Sequence, residues 1–316
     1  MPASAHPARI KPAALRPGDK VGIVAPASYF NREEFEAGCA KLRELGYVPV
    51  YSDSIFDRDL YFAGTAERRA RELESMFDRD DINAIICARG GYGANYLLPL
   101  LDLDKIAAHP KTFVGYSDVT CLLSYFYDAA GLVTFHGPMI AKDFAREQGI
   151  DSASWQTLMG ARPEFDSSSY SSFKPLANGS AEGMLYGGCL SILVASLGTR
   201  YEIQTAGTIL FIEDVATKPY QIDRMLMQLK LAGKLTGVKG IIFGEMLDCA
   251  QPGSHAYMLE DIILRVVGDL GVPIAFGLPS GHVSKSNITL PFGVNAAIEV
   301  TESTASLRML ESTVHL

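Results

Sequence analysis

Five short apolar runs alternate with longer amphipathic stretches along the first half of the chain, and this alternation limits the folds available to it. The runs are continuously apolar, which is typical of strands covered on both faces of a parallel sheet. The stretches between them carry apolar residues near helical spacing, so the pattern predicts an α/β domain. The predicted strands are Val21–Ala25, Tyr47–Tyr51, Ala84–Ala88, Thr112–Gly115 and Leu132–Phe135, and the predicted helices are Arg32–Leu45, Ala66–Phe77, Ala94–Leu101 and Val119–Ala129.

The segment Arg162–Gly183 has a different composition from the rest of the chain. It contains DSSSYSS and NGS, and its few apolar residues have no period, which predicts a linker or surface loop. We therefore expect an N-terminal α/β domain over residues 1–162, a linker over 163–182 and a smaller C-terminal α/β domain over 183–316. The second domain begins at Met184–Tyr186, which a Gly-Gly turn follows. The main elements predicted in it are helices Leu190–Leu197, Gln221–Leu231 and Tyr257–Val267, strands Thr208–Ile212, Gly240–Phe243 and Pro273–Phe276, and short β-runs from Asn287 onwards.

The composition excludes several classes of function. A formal net charge of −8 repels phosphate backbones, so we expect no nucleic acid partner. No stretch approaches the roughly 20 apolar residues of a membrane span, and the N-terminus lacks the apolar segment of a signal peptide, so we expect a cytoplasmic protein. The five cysteines form no CxxC pair and there is no HExxH motif, so no metal site is predicted.

Polar residues that directly follow predicted strands are the candidates for chemistry, because ligands bind at the carboxyl ends of strands in open α/β sheets. Ser117 lies in FVGYSDVTCLL, where an apolar strand runs into Gly-Tyr-Ser and a helix follows at once. This is the setting of a nucleophile elbow, and it would place the N–H of Asp118 at a helix N-terminus. The motif is incomplete because Val119 replaces its second glycine, and a helix N-cap is the alternative role for Ser117.

A serine nucleophile needs a base and an acid that orients the base. His282 follows a predicted strand in GLPSGHVSKSN, a loop that can position an imidazole, whereas His136 is better interpreted as a structural histidine. Glu213 and Asp214 both follow the strand TILFI, and the residues alone do not choose between them. The chain order serine, acid, histidine is that of α/β-hydrolases.

A glycine-rich turn, Arg89-Gly90-Gly91-Tyr92-Gly93, follows the strand AIICA. It has neither the Walker A lysine nor the GxGxxG spacing. Its backbone N–H groups could reach a substrate oxygen, and Arg89 could hold a carboxylate through two parallel hydrogen bonds. Arg89, Gly90 and Tyr92 are therefore candidate substrate-binding residues. A tight turn with positive φ, and a structural ion pair for Arg89, are the alternatives.

Six segments between Leu15 and His282 together resemble the LD-carboxypeptidase family, which includes muramoyltetrapeptide carboxypeptidases and microcin C immunity peptidases. These segments are LRPGDKVGIVAPAS, CARGGYGANYLL, FVGYSDVT, FHGPM, FIEDVATKPYQIDRML and GLPSGH. The resemblance implies two α/β domains with the site between them, no cofactor and a homodimer. It also implies site residues, namely a triad of Ser117, Glu213 and His282 and backbone oxyanion donors at Asp118 and Gly91.

The activity implied by this resemblance is hydrolysis of the amide between an L-centre and a C-terminal D-amino acid, as in D-Ala release from a murein tetrapeptide during peptidoglycan recycling. The first alternative is a microcin-type amidase acting on aminoacyl-nucleotide analogues. That branch uses an aromatic side chain of the inter-domain loop to stack on the base. Here the linker offers Tyr170 and Phe173, and the only tryptophan is Trp155, which favours the murein peptide.

A non-catalytic peptide-binding protein is the second alternative, and the presence of all three triad residues argues against it. One position departs from the family pattern. Cys189 stands where the family often has the asparagine of Gly-Gly-Asn-Leu, and a thiol is a far weaker hydrogen-bonding group than an amide. This departure affects the expected substrate pocket and leaves the triad unchanged.

Overall fold

The computed structural model describes residues 8–160, 167, 170–250 and 257–315, and it contains two sheets. The first half of the chain supplies five parallel strands in the order β5-β4-β3-β1-β2. Every residue of the two central strands β3 and β4 is buried, as a doubly covered sheet requires. The strands are β1 (Lys20–Val24), β2 (Val48–Val50), β3 (Ala84–Cys87), β4 (Thr112–Gly115) and β5 (Thr134–His136), which confirms the predicted parallel sheet.

Four of the five helices in this half, all except α4, begin at polar side chains that satisfy free N–H groups of the first turn. The side chain of Asn31 accepts hydrogen bonds from the N–H groups of Glu33 and Glu34, and Thr65 and Asp102 cap the next two helices in the same way. The helices are α1 (Arg32–Glu44), α2 (Ala66–Asp78), α3 (Leu103–Ala108), α4 (Thr120–Ala130) and α5 (Ser152–Met159). Among the described residues, none of the helices has both the length and the apolar character that a bilayer crossing requires.

The helix predicted over Ala94–Leu101 is wrong. Only Ala94–Tyr96 forms a short 3-10 turn, and the α-helix starts later, after Asp102. Pro99 lies inside the predicted span, and proline removes a backbone donor and clashes with the preceding turn of an α-helix. The chain therefore leaves the glycine-rich turn through a compact 3-10 segment.

The second sheet has seven strands in the order β13-β12-β7-β8-β9-β10-β6. Its middle strands β7 to β10 are parallel, and the strands at both ends are antiparallel to their neighbours. The strands are β6 (Lys174–Ala177), β7 (Gly179–Cys189), β8 (Thr208–Glu213), β9 (Gly240–Gly244), β10 (Ile274–Leu278), β12 (Asn295–Val300) and β13 (Ala305–Met309). The helices between them are α6 (Leu190–Ala195), α7 (Pro219–Leu231) and α8 (Leu259–Val267), so a second α/β unit with a β-rich end is confirmed.

Strand β11 (Leu290–Phe292) belongs to the second half of the chain but joins the first sheet. It runs antiparallel to β5, with Leu290 opposite His136. The predicted β-runs of the tail are present, but the first of them ties the two sheets together. The loop between β10 and β11, which carries His282, is therefore held at both ends, by one sheet on each side.

The loop predicted over Arg162–Gly183 is wrong from Lys174 onwards, where β6 and the first part of β7 lie. β6 is the outermost strand of its sheet, and the first residues of β7 are largely exposed. Strands in such positions need few apolar side chains, so their composition resembles that of a loop. Residues 162–166 and 168–169 of the predicted loop lie outside the described residues.

Gly38 in the middle of α1 generates a stability prediction. A methyl group there would lie 2.0 Å from the carbonyl oxygen of Ile140, so the helix and this segment pack backbone to backbone. Helix propensity alone favours alanine by about 1 kcal/mol. We nevertheless expect Gly38→Ala to lower the free energy of unfolding, by about 2 kcal/mol, because the two segments must separate. Urea denaturation measures this difference.

The matched control is Gly268→Ala at the end of α8. A methyl group there would make ordinary contact with Leu264 at 3.8 Å, and the backbone is already right-handed helical. We expect a change of within about 0.5 kcal/mol. Equal effects of the two substitutions would contradict the close packing at Gly38.

Candidate active site

Ser117 lies directly beyond β4, in a turn whose backbone is strained. Its φ is 62°, a left-handed conformation that side chains other than glycine rarely adopt. The residue before the turn is Gly115, where a methyl group would lie 2.7 Å from the side chain of Val119. The chain therefore reverses sharply and enters α4 at once, with Ser117 partly exposed at the corner. This is the local geometry of a nucleophile elbow.

The glycine-rich turn after β3 packs directly on Ser117. A methyl group at Gly90 would lie 2.8 Å from Cβ of Ser117, so only glycine allows this approach. At Gly91, where φ is 100°, a methyl group would lie 2.5 Å from Oγ of Ser28. Ser28 holds the turn in place, because its N–H donates to the carbonyl of Gly90 and its Oγ accepts from the N–H of Tyr92.

The backbone N–H groups of Gly91 and Asp118 are among those in this region that have no hydrogen-bond partner within the described residues. Both belong to the turns that meet at Ser117, and the N–H of Asp118 lies in the first turn of the segment leading into α4. Free donors at a helix N-terminus favour a negative charge on a nearby oxygen. The two predicted donors are therefore available for an oxyanion.

The side chain of Asp118 ties the two turns together. It is buried, and its carboxylate accepts a hydrogen bond of 2.7 Å from the N–H of Ala94, beyond the glycine-rich turn. Burial raises the pKa of Asp118 to about 6, and the hydrogen bonds from the N–H groups of Ala94 and Gly93 oppose part of that rise. The side chain of Asp118, a buried titratable group, thus joins the turn of Ser117 to the segment beyond the glycine-rich turn.

Glu213 and His282 form a buried pair at the end of β8 and beyond β10, the two strands that flank β9 in the second sheet. Oε2 of Glu213, the last residue of β8, lies 2.7 Å from Nδ1 of His282 and also accepts a 3.0 Å bond from the N–H of His282. Burial acts to raise the pKa of Glu213, but the neighbouring imidazoles of His282 and His136 lower it below its usual range. Glu213 is therefore a carboxylate at neutral pH, able to orient His282 and stabilise its protonated form.

The structure gives the adjacent acids Glu213 and Asp214 different hydrogen-bond partners. Asp214 accepts hydrogen bonds from the N–H of Ser191 at the start of α6, and from Val215 and Thr217 in its own turn. Its carboxylate stabilises the helix start and the turn. Only Glu213 contacts His282.

The loop that carries His282 is shaped by a glycine and an asparagine. A methyl group at Gly281, where φ is 88°, would lie 2.6 Å from Cδ of Glu213. The side chain of Asn287 accepts from the N–H of Gly281 at 2.9 Å and donates to its carbonyl at 3.1 Å. Sequence reasoning missed Asn287, although its place in the polar run after His282 was a signal for a residue that closes the loop.

His282 is linked to the nucleophile turn through Tyr116. The Tyr116 ring, directly before Ser117, packs edge-on against the His282 ring with centroids 5.1 Å apart. Tyr116 is fully buried, so the contact fixes the imidazole beside the turn. The arrangement of Ser117, His282 and Glu213 is consistent with a catalytic triad.

His136 is fully buried at the end of β5, and it lies beside the acid rather than beside the nucleophile. Its Nδ1 lies 3.0 Å from Oγ of Ser280, and its Nε2 lies 3.7 Å from Oε1 of Glu213. The Ser280 hydroxyl donates to the carbonyl of Ile288, so Nδ1 of His136 is the donor to Ser280. Burial lowers the pKa of His136 despite the nearby carboxylate. The structural role is right, but sequence reasoning missed the contact with Glu213.

Cys189 ends β7, opposite Glu213 in the sheet register. Its Sγ and one ligand atom each of Glu213 and His282 lie within 4.8 Å of one another, a spacing that a metal ion could bridge. Burial raises the pKa of the Cys189 thiol well above its usual value, which disfavours the thiolate that binds metals. The hydrogen bond between Glu213 and His282 accounts for the short distances, and Cys189 adds a neutral thiol beside it.

The remaining candidates, Arg89 and Tyr92, lie on the exposed side of the glycine-rich turn. Nη1 of Arg89 donates to the carbonyl of Tyr29 at 2.9 Å, and no carboxylate among the described residues pairs with it. Tyr92 is 43% exposed and packs against Phe62 and Tyr96. Both side chains are accessible beside the turn.

Comparison with known protein families gives two matches that together cover most of the chain. Residues 21–137 match the model described as the LD-carboxypeptidase N-terminal domain, and residues 182–298 match the LD-carboxypeptidase C-terminal domain. A probable murein peptide carboxypeptidase of Bacillus subtilis (strain 168) is 38% identical over 298 residues, covering 93% of each chain.

A second relative, the microcin C7 self-immunity protein MccF of Escherichia coli, is 30% identical over 338 residues, covering 96% of each chain. Among solved structures, a muramoyltetrapeptide carboxypeptidase from Oxalobacter formigenes superposes with a TM-score of 0.82 at 29% identity, over 92% of this chain and 98% of that one. The fold is therefore shared over nearly the whole length.

The raised pKa of Asp118 predicts a pH dependence of stability. The folded protein holds this proton up to about pH 6, whereas the unfolded chain releases it near pH 4. The folded state therefore binds more protons between these values, and the free energy of unfolding falls as the pH rises through that window. The contribution of this one group is about 3 kcal/mol.

Asp118→Asn removes the titration and keeps an acceptor for the N–H of Ala94. We expect the wild type to lose about 3 kcal/mol more stability than this variant between about pH 4 and pH 7. Urea unfolding of both proteins across this range measures the difference. Parallel pH profiles would show that Asp118 is not perturbed.

Proposed function

The chain belongs to the LD-carboxypeptidase family of serine peptidases, and on this premise we propose that it releases a C-terminal D-amino acid from a murein peptide, in peptidoglycan recycling. The observation that carries the proposal is the hydrogen-bonded pair of Glu213 and His282 beside the strained turn of Ser117. An ionised acid, an imidazole and an exposed hydroxyl are the parts that acyl transfer by a serine requires.

In the proposed reaction, Ser117 Oγ attacks the carbonyl of the scissile amide while His282 takes the hydroxyl proton. The Glu213 carboxylate accepts a hydrogen bond from Nδ1–H of His282 and stabilises the imidazolium that forms. His282 then protonates the leaving nitrogen, which releases the D-amino acid and leaves an acyl ester on Ser117. Water, deprotonated by His282, hydrolyses the ester and restores the free serine.

The tetrahedral intermediates carry a negative oxygen, for which we assign the free N–H groups of Gly91 and Asp118 as donors. Their support is that neither has a partner among the residues that the structure describes and that both lie in the turns packed around Ser117. Loss of one such donor typically costs about 10²-fold or more in kcat. The glycines at 90 and 91 allow the backbone itself to reach the reacting carbonyl.

Three observations favour a murein peptide over an aminoacyl-nucleotide analogue. The chain shares higher identity with the murein peptide carboxypeptidase than with MccF. Trp155 is buried against Phe144 with a centroid distance of 5.3 Å, so it cannot stack on a nucleobase. Phe173 in the predicted linker is also buried. We propose Arg89, which has no carboxylate partner among the described residues, as a group that binds the terminal carboxylate.

The proposal predicts that the wild type releases D-Ala from a murein tetrapeptide and that Ser117→Ala lowers kcat by at least about 10³-fold. Alanine keeps the Cβ of serine, so the turn is unchanged and only the nucleophile is lost. Chromatography of the released amino acid measures the rate, and circular dichroism checks the fold.

Ser124→Ala is the matched control, because Ser124 lies in α4 about two turns beyond Ser117 and its hydroxyl donates to the backbone carbonyls of Thr120 and Cys121, away from the proposed triad. We expect it to retain wild-type activity within a few-fold, about the effect of a lost neutral hydrogen bond. Cleavage of an aminoacyl-sulfamoyl adenosine without D-Ala release would instead support the alternative function, an amidase that acts on aminoacyl-nucleotide analogues. Equal activity of wild type and Ser117→Ala would overturn the assignment of the nucleophile.

A further inference from the structure

A cavity of about 560 Å³ opens beside the active site, and its lining is strongly cationic. The walls come from the segments that follow β1, β3 and β5, so the cavity lies at the same sheet edge as Ser117. Among its lining residues only Glu34 is acidic, whereas four are basic: Arg58, Arg89, Lys142 and Arg146. In a chain with a net charge of −8, this concentration of cations is a local reversal of the overall charge.

The four cations are held by neutral groups rather than by carboxylates. The guanidinium of Arg58 lies 4.4 Å from the ring centroid of Tyr29, whose carbonyl accepts from Arg89. Surface lysines elsewhere behave differently, since Lys20 and Lys105 each lie within 4.0 Å of an aspartate. In the described part of the chain, no carboxylate forms an ion pair with any of the four cavity cations.

The other two cavity cations contact the segments that carry the catalytic groups. Nζ of Lys142 lies 5.4 Å from the ring centroid of Tyr116, which precedes Ser117. Arg146 donates to the carbonyl of Ser284 at 2.7 Å, two residues beyond His282. Arg89 is itself joined to Gly90, which packs on Ser117. The cavity therefore adjoins the reacting groups.

We propose that Arg58, Lys142 and Arg146 make this cavity an anion subsite beside Arg89, which binds a substrate carboxylate additional to the terminal one held by Arg89 and thereby selects peptides with two or more carboxylates. Arginine forks bind carboxylates through paired hydrogen bonds, and no carboxylate of the described residues forms an ion pair with the cations here. The inference deepens the proposed peptidase function and rests on it, since it assigns the chemical class of substrate that the site prefers.

A second cavity, of about 280 Å³, shows that the cationic lining is specific to one side of the site. It borders Asp118 and Tyr92 but is lined mainly by apolar and small side chains, among them Leu98, Ile192 and Ala195. An apolar part of the substrate fits this second cavity, whereas a carboxylate there would face the buried Asp118. Charge thus distinguishes the two neighbouring spaces and favours one orientation of an anionic peptide.

The test compares two ligands that differ only in charge. The first is a murein tetrapeptide with its free carboxylates, and the second is the same peptide with every carboxylate except the terminal one converted to a carboxamide. Calorimetry with Ser117→Ala measures binding without turnover. We expect the carboxylate peptide to bind about tenfold to a hundredfold more tightly, and the preference to shrink as salt is added.

Adding Arg58→Ala and Lys142→Ala to Ser117→Ala is expected to reduce this preference at least about tenfold, because two of the four cations are removed. Adding Lys105→Ala instead removes a cation that lies outside the cavity, and the preference should persist. Equal affinity for the two peptides, or an unchanged preference after loss of Arg58 and Lys142, would overturn the subsite. Absence of D-Ala release by the wild type would instead overturn the proposed function, so the two failures are distinct.

Discussion

The hydrogen bond between Glu213 and His282 is the interaction on which the arrangement of this site depends. A fully buried carboxylate is costly unless charged and polar partners surround it. Here Oε2 receives two donors from His282, whereas Oε1 accepts no hydrogen bond among the described residues and lies 3.7 Å from Nε2 of His136. The space for this pair exists because Gly244 and Gly281 leave out side chains that would overlap with Glu213. The glycines and Asn287 therefore serve one purpose, which is to keep an ionised acid under the imidazole of His282.

The nucleophile is held by a different balance, in which local strain is opposed by contacts between turns. A non-glycine residue in the left-handed region costs on the order of 1–3 kcal/mol. This strain in the turn of Ser117 is opposed by the packing of Gly90 against the turn and by the hydrogen bond from the N–H of Ala94 to Asp118. Because these contacts come from the turn after β3, the proposed oxyanion donors Gly91 and Asp118 and the proposed nucleophile Ser117 are positioned together. A change in either turn should therefore move both.

The continuous apolar runs were sufficient to predict the parallel sheet of the first domain, because a strand buried on both faces has no other composition available. The prediction of strands failed where the side chains of a strand are only weakly buried. β6 and the start of β7 lie in polar sequence that resembles a loop, since an edge strand needs few apolar side chains. It also did not foresee that β11 joins the first sheet, because pairing between distant strands is a property of the packed molecule. The hydrogen bonds of Asn287 and the contact of His136 with Glu213 are likewise properties of the packed molecule.

Sequence alone determined which residues could act, namely a serine between a strand and a helix, a histidine in a glycine-flanked loop and two adjacent acids after a strand. Only the tertiary structure gave a physical reason for choosing between the two acids, because it shows which of them contacts His282. Neighbouring residues of a strand point to opposite sides, so Glu213 reaches His282 while Asp214 turns away to the start of α6. The cationic cavity is likewise invisible in the chain, because its four basic residues lie on separate segments. Periodicity is local and survives in the sequence, whereas the meeting of remote strand ends exists only after folding.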